Sequence, residues 1–263
     1  MDFLDRSRWE RSWKFRAERM RRKLGWGLQG LGRRILERKG ASGVWLDVGA
    51  HLGESTLPIA QSNPSLMVYA FEPNWSLARQ VMGKVANFVV VPMAVAEEDG
   101  VARFFVNGVD DSSSLLPLNP EGVKEWKGER TLRVERTITV PTIRLDTFLR
   151  SMEIERVEYL KIDTQGTDLA VVRSAGPRLK DIQKVKLEAD VTRHRAYQGS
   201  ASRSEMVAYL EEQGFALTDV ESQSMGQEEN LTFERKGLGG ATGNLKFEIS
   251  DFKVTAGGKL AER

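Results

Sequence analysis

The chain contains no cysteine among its 263 residues. Disulfides, thiolate zinc sites and cysteine nucleophiles are excluded at once. Histidine is scarce as well. His51 and His194 are the only two, so general-base work by an imidazole has two possible seats. No apolar run reaches the roughly 18 residues that a membrane-spanning helix needs. The first residues hold no uninterrupted apolar stretch of the secretory kind, which makes a cytoplasmic location the expectation. No internal repeat is visible.

What is present is a hydrophobic content of 40%, enough for one sizeable core. The net charge of +2 conceals an uneven distribution. Residues 1–40 carry 13 Lys/Arg against 5 Asp/Glu, a net of +8, which leaves −6 for the remainder. Within this arm Trp9, Trp13, Met20 and Leu24 fall near one helical face, flanked by Arg6, Arg11, Arg19 and Arg22. Such a helix either packs on its own domain or lies on an anionic membrane. Residues 1–24 are therefore the candidate for peripheral membrane contact, and no nucleic-acid partner is expected. Gly25, Gly27, Gly30 and Gly32 then break the periodicity and mark a linker.

The most informative stretch is VWLDVGAHLG at 44–53, an apolar run that stops at Asp47 and becomes a turn spaced by Gly49 and Gly53. A strand ending in such a turn brings backbone N–H groups and a helix start close to a small polar ligand. A second apolar run, LMVYAFEPN at 66–74, also ends in an acid, Glu72. In nucleoside-binding α/β folds an acid there accepts hydrogen bonds from the ribose hydroxyls. The turn lacks the glycine that admits a pyrophosphate, and Asp47 would repel one. A carboxylate at that position would instead suit the ammonium of an amino-acid moiety. S-adenosylmethionine has that ammonium, a ribose and no phosphate, so the pattern favours it over a nicotinamide dinucleotide.

From Val44 onward strands and helices alternate. Strands are predicted near 44–48, 66–71, 88–95, 157–163 and 184–189, with helices near 54–62, 76–86, 167–175 and 202–213. That alternation predicts an α/β fold, a doubly wound and mainly parallel sheet. The insertion between the third and fourth strands holds strand-like pieces at 101–107 and 132–145, and a final pair at 215–220 and 230–235 reads as an antiparallel terminal ribbon. The domain limits that follow are an arm and linker at 1–40, a body at 41–236 and a glycine-rich tail at 237–263.

The fourth strand ends in YLKIDTQGTDL at 159–169, with Lys161 and Asp163 as polar positions at its carboxyl end. Ligands in open parallel sheets bind at those ends. Asp163 is thus a candidate for substrate or cofactor contact, or alternatively the N-cap of the next helix. The fifth strand ends VKLEAD, which puts Glu188 and Asp190 on the same rim, and His194 follows shortly after. His194 is a candidate base. His51, inside the glycine turn, is better suited to cofactor contact or to fixing the loop. No metal site is expected: Asp163, Glu188 and Asp190 could offer oxygens to a hard cation, but no tight ligand spacing supports it.

In order along the chain, DVGAHLG at 47–53, FEPN at 71–74, SSL at 113–115, KIDTQG at 161–166 and LEAD at 187–190 resemble the pattern of the FkbM-type methyltransferases. The resemblance covers roughly residues 44–236 and leaves out the arm and the tail. It departs from the pattern at Gln165 and Asp168, where glutamates are common. It implies a class I, Rossmann-like methyltransferase fold that uses S-adenosylmethionine to methylate a hydroxyl. On that footing Asp47, Gly49, His51 and Gly53 would shape the methionine and ribose side of the pocket, and Glu72 would bind the ribose hydroxyls. Pro73, Asn74 and Ala94 would border the adenine, and Ser113 and Ser114 would lie over the site. Asp163, Glu188 and His194 would surround the acceptor hydroxyl, and one of them would take its proton. The expected acceptor is a sugar or glycan, including glycolipids. The alternatives are a polyketide or macrolide alcohol, a nicotinamide oxidoreductase on the same architecture, or a non-catalytic membrane- or partner-binding protein.

Overall fold

In the computed structural model the described residues are 43–127 and 132–237. The basic arm and nearly all of the glycine-rich tail lie outside them. The strands, in chain order, are β1 (Gly43–Val48), β2 (Leu66–Phe71), β3 (Phe88–Val91), β4 (Ala94–Val95) and β5 (Gly100–Asn107), then β6 (Val134–Ile143), β7 (Tyr159–Ile162), β8 (Lys184–Asp190), β9 (Phe215–Gln223) and β10 (Glu228–Arg235). The α-helices are α1 (Leu57–Ser62), α2 (Trp75–Val81), α3 (Pro120–Glu125), α4 (Leu145–Ser151), α5 (Asp168–Ser174) and α6 (Arg203–Glu212).

Seven strands form the main sheet in the order β3-β2-β1-β7-β8-β10-β9. β3, β2, β1, β7 and β8 run parallel, whereas β10 is antiparallel to both its neighbours. This is the doubly wound arrangement expected from the sequence, with the terminal ribbon antiparallel as read. All six residues of β2 are buried, the composition that a strand covered on both faces requires. Its side chains alternate. Met67, Tyr69 and Phe71 join a large cluster with residues of α4, α5 and α6. Leu66, Val68 and Ala70 join a smaller one with Ala60 of α1 and with Ala78 and Val81 of α2. Helices therefore cover both faces. Phe148 of α4 closes the larger layer edge-on against Tyr69 and Phe71, with ring centroids 5.2 and 4.8 Å away.

Three departures from the sequence reading have local causes. The predicted strand 88–95 breaks at Pro92, which has no N–H to donate, so β3 ends at Val91 and Ala94–Val95 crosses to a second sheet. That sheet has the order β4-β6-β5 and is built from the insertion. The helix α4 begins where the strand-like piece read at 132–145 ends and was assigned to no element, although Leu145, Phe148 and Leu149 have the i, i+3, i+4 spacing of a buried helical face. The helix α3 was not anticipated either. Asn119 caps it through Oδ1 and Pro120 opens it.

Strand order reverses between β1 and β7, so their carboxyl ends part and leave a crevice. β2 and β7 flank β1, which sets their ends about 10 Å apart at two strand spacings. The second sheet stands beside this crevice.

Candidate active site

A cleft opens at the carboxyl ends of β1, β2 and β7, the place where open parallel sheets bind their ligands. Its floor is the glycine turn after β1. Gly49 N–H and Ala50 N–H both donate to the Phe71 carbonyl, at 3.1 and 3.0 Å, which ties the turn to β2. Gly49 has φ +78°. A Cβ there would lie 1.8 Å from the Asp163 carbonyl oxygen, so the turn packs directly on the end of β7. Only glycine meets both conditions.

On one wall stands Glu72, 5% exposed. Its two oxygens each accept a backbone N–H, from His51 at 2.9 Å and from Asn74 at 2.7 Å. Burial pushes its carboxyl up to about 7, against the opposing effect of those N–H groups. No lysine or arginine among the described residues lines the cleft. An acid-lined cleft of this kind suits a cationic, phosphate-free ligand and disfavours a diphosphate.

On the other wall stands Asp163, with 40% of its side chain exposed. Thr164 and Thr167 continue this wall. The second sheet and its loop supply the remaining lining, with Ala94 and Val95, Phe104, Asp111, Ser113 and Leu115. The site residues expected from the sequence thus divide. Gly49, His51, Glu72, Pro73, Ala94, Ser113 and Asp163 line one cleft; the others do not.

Asp47 is fully buried beneath the floor. It accepts a hydrogen bond from the Thr56 hydroxyl, and Lys161 Nζ lies 3.2 Å from its other oxygen. β1 and β7 pair with Asp47 beside Lys161, so that carboxylate already has its ammonium and is not presented to a ligand's. Lys161 also lies 3.6 Å from Asp163. Burial would lower the Lys161 ammonium pKa, but Asp47 and Asp163 outweigh it and raise it. Gly53 supports the turn from behind, where a Cβ would meet Phe88 at 3.0 Å. Asn74 is turned to the start of α2, where its Oδ1 accepts from Ser76 N–H at 3.2 Å. Ser114, 1% exposed, donates to the Gln165 carbonyl at 2.7 Å and clamps the insertion onto the end of β7.

His194 is held elsewhere. Its Nδ1 is 2.8 Å from Glu125 and its Nε2 3.6 Å from Glu121, both on α3. That pairing holds the imidazole against α3, and His194 is not among the residues that line the cleft. Glu188 lies behind the wall, joined to Asp163 through Gln165. The Gln165 amide is 3.0 Å from Asp163 Oδ1 and 2.9 Å from Glu188 Oε2. Asp190 turns away to the loop, accepting from Thr192 N–H at 2.8 Å and Ala196 N–H at 2.7 Å. Asp163, Glu188 and Asp190 therefore do not converge on one point.

Residues given no role from the sequence include Phe104 and Leu115, which add to the apolar lining of the cleft, and the hydroxyls of Thr164 and Thr167. Phe104 sits in a segment recognisable as a strand, but only its pairing with β6 places it.

The profile of the Methyltransferase FkbM domain matches residues 47–217. The 2-O-methyltransferase NoeI of Sinorhizobium fredii is 26% identical over 140 residues, which cover 49% of this chain and 56% of that protein. The match thus spans little more than half of that relative's length. Among solved structures, M. capricolum TrmK in complex with S-adenosyl-homocysteine is 8% identical with a TM-score of 0.43, covering 78% of this chain and 67% of that one. Aeropyrum pernix fibrillarin with natively bound S-adenosyl-L-methionine is 12% identical with a TM-score of 0.43, covering 77% of this chain and 74% of that one. At such scores these two likenesses add nothing to what the sheet order already shows.

Proposed function

The chain belongs to the FkbM methyltransferase family, whose methyl donor is S-adenosylmethionine, and on that footing we propose that it methylates a hydroxyl of a sugar or glycan acceptor. The observation that carries this reading is the placement of Glu72 and Asp163 on either side of the glycine turn, facing one cleft. Glu72 has two N–H donors and no lysine or arginine bonded to it among the described residues, which leaves lone pairs for the paired hydroxyls of a ribose. Ala94, Val95 and Pro73 offer the apolar border that an adenine needs.

When bound, S-adenosylmethionine supplies a methyl carbon whose bond to sulfur breaks with the electron pair leaving on sulfur. Asp163 accepts the proton of the acceptor hydroxyl as its oxygen bonds to that carbon. Thr164, Thr167 and Ser113 orient the acceptor through hydrogen bonds, and Phe104 and Leu115 restrict water. Most of the rate enhancement in such a displacement comes from alignment. The 2-O-methyltransferase relative supports an oxygen nucleophile. The hydroxyl-rich wall, and a described lining that holds no lysine or arginine, support an acceptor that is neutral at its reacting end. Any anionic part of a glycolipid or polysaccharide would lie outside this cleft.

The direct test is turnover with S-adenosylmethionine and a panel of neutral saccharides, followed by mass spectrometry. A methyl ether on a sugar is the expected product. Methylation confined to phenols or amines would reject the sugar acceptor while keeping the donor.

The ribose assignment has its own test, because Glu72 binds two hydroxyl donors best as a carboxylate. Its carboxyl stands near 7 in the free protein, so binding releases a proton at lower pH. Affinity should therefore rise with pH and level off above 7. With the competent fraction set by that ionisation, binding at pH 6 should be about tenfold weaker than at pH 8. Methylthioadenosine is the suitable probe, since it keeps the ribose but has no ionisable amino acid. Glu72→Gln should bind roughly 10- to 150-fold more weakly at high pH, with no pH dependence left. Calorimetry that finds the wild type flat across this window would reject the assignment.

A further inference from the structure

The turn after β7 carries an unusual arrangement. Gln165 is not glycine, yet its φ is +56°, a region that costs of order 1–3 kcal/mol for an ordinary residue. That conformation aims its side chain back between two carboxylates, Asp163 at 3.0 Å and Glu188 at 2.9 Å from the same nitrogen. The amide has two N–H bonds, one for each. The opposite orientation would set its carbonyl oxygen against the Asp163 carboxylate, which assigns the nitrogen to the acids. Its Oε1 lies 3.0 Å from the Tyr197 hydroxyl, whose single proton is shared between that oxygen and the Ser112 carbonyl at 2.6 Å. Ser114 holds the Gln165 backbone carbonyl at 2.7 Å. The side chain is therefore gripped at both ends.

We propose that Gln165 is a positioning residue: its amide stands between Asp163 and Glu188 and holds the Asp163 carboxylate against the cleft wall. This rests on the reading of Asp163 as the proton acceptor. Without that amide the two acids would face each other with little to separate them. Their surroundings are predominantly acidic. Asp168 comes from α5, Asp190 from β8 and Glu228 from β10, while Lys161 of β7 is the nearby cation and is shared with Asp47 of β1. Burial, followed by Asp163, Glu228 and Asp168, holds Glu188 well above the usual carboxylate range, with Lys161 a partial offset. Burial likewise raises Glu228 to about 7 and Asp168 to about 6. The amide donates to Asp163 without adding another charge to this group.

The test is Gln165→Met, which keeps an unbranched chain of similar length without donors, and Gln165→Glu, which adds a carboxyl. For Gln165→Met, kcat should fall about tenfold or more for the lost charge-assisted bond. The KM for S-adenosylmethionine should stay unchanged, and the acid limb of the kcat–pH profile should move up by about one unit. Gln165→Glu can donate only while protonated, so its activity should decline as pH rises. A residue that merely braces the turn would lower activity and melting temperature alike and leave both limbs in place. That outcome overturns the proposal.

Carboxyl 13C titration of the full chain separates this from a failure of the base assignment. Asp163 and Glu188 signals, identified with Asp163→Asn and Glu188→Gln, should titrate higher in Gln165→Met than in the wild type. Unchanged titration rejects the positioning role whatever the activity shows. Full activity in Asp163→Asn, together with shifted titration, rejects only the proton-acceptor reading.

Discussion

Asp163→Asn should lower kcat by about 10²–10⁴ while leaving S-adenosylmethionine affinity within a few-fold of the wild type. The substitution keeps shape and an acceptor oxygen for the Gln165 amide. Lys161 loses one carboxylate partner but retains Asp47 at 3.2 Å, so the end of β7 should stay folded. What disappears is the ability to take a proton at the wall of the cleft. His194→Ala serves as the counterpart. Its imidazole is engaged by Glu125 and Glu121 outside the cleft, and its removal should leave kcat within about twofold, as for most surface changes. Steady-state formation of S-adenosyl-homocysteine with a methylatable sugar measures both. Full activity in Asp163→Asn would mean that alignment alone suffices or that another group takes the proton. A large loss in His194→Ala would mean that the 190–200 loop moves into the site.

Much of this site could be read from the chain because its acids stand where apolar runs stop. Glu72 and Asp163 interrupt strands that are otherwise buried, and an acid at a strand's carboxyl end is conspicuous in one dimension. The partners of those acids were less legible. Lys161 meets Asp47 across 114 residues, and only the insertion of β7 beside β1 brings them together. Before that order is known, Asp47 looks like a free carboxylate for an ammonium ligand. The same holds for His194, whose glutamate partners sit on a short helix that the sequence did not reveal. Ser113 and Ser114 are adjacent, yet one faces the cleft and the other clamps the insertion to Gln165. Which of two neighbours points inward depends on the register of β5 with its loop, and no composition or spacing rule supplies that. The insertion was the least readable part for this reason, although it lines part of the cleft.

The turn after β1 is held on several sides. Its N–H groups are committed to Phe71, its His51 N–H to Glu72, and its back to the end of β7. Movement at any of these displaces the wall that carries Glu72 relative to the wall that carries Asp163. Catalysis by alignment is sensitive to shifts of that size.

Gly49→Ala should accordingly be among the most damaging single changes in the chain. The new Cβ would lie 1.8 Å from the Asp163 carbonyl oxygen and 2.8 Å from its carbonyl carbon. The obstacle is backbone held in place, because Asp163 N–H donates to the Val48 carbonyl at 2.9 Å. No side chain can swing aside to make room. Two costs combine, a non-glycine residue at φ +78°, about 1–3 kcal/mol, and an overpacked contact of about 1–3 kcal/mol or more. Against a total stability of roughly 5–15 kcal/mol, that sum is large. At roughly 2–4 °C per kcal/mol, the melting temperature should fall by about 4–24 °C, and methylthioadenosine binding should be lost with the turn. Gly83→Ala isolates the first cost, since Gly83 has the same φ of +78° with nothing within 4 Å of its added Cβ. It should lower the melting temperature only by the smaller, conformational amount. Equal melting temperatures for the two variants would show that β1 and β7 do not approach each other as closely as described here, and the two walls of the cleft would then be set by some other contact.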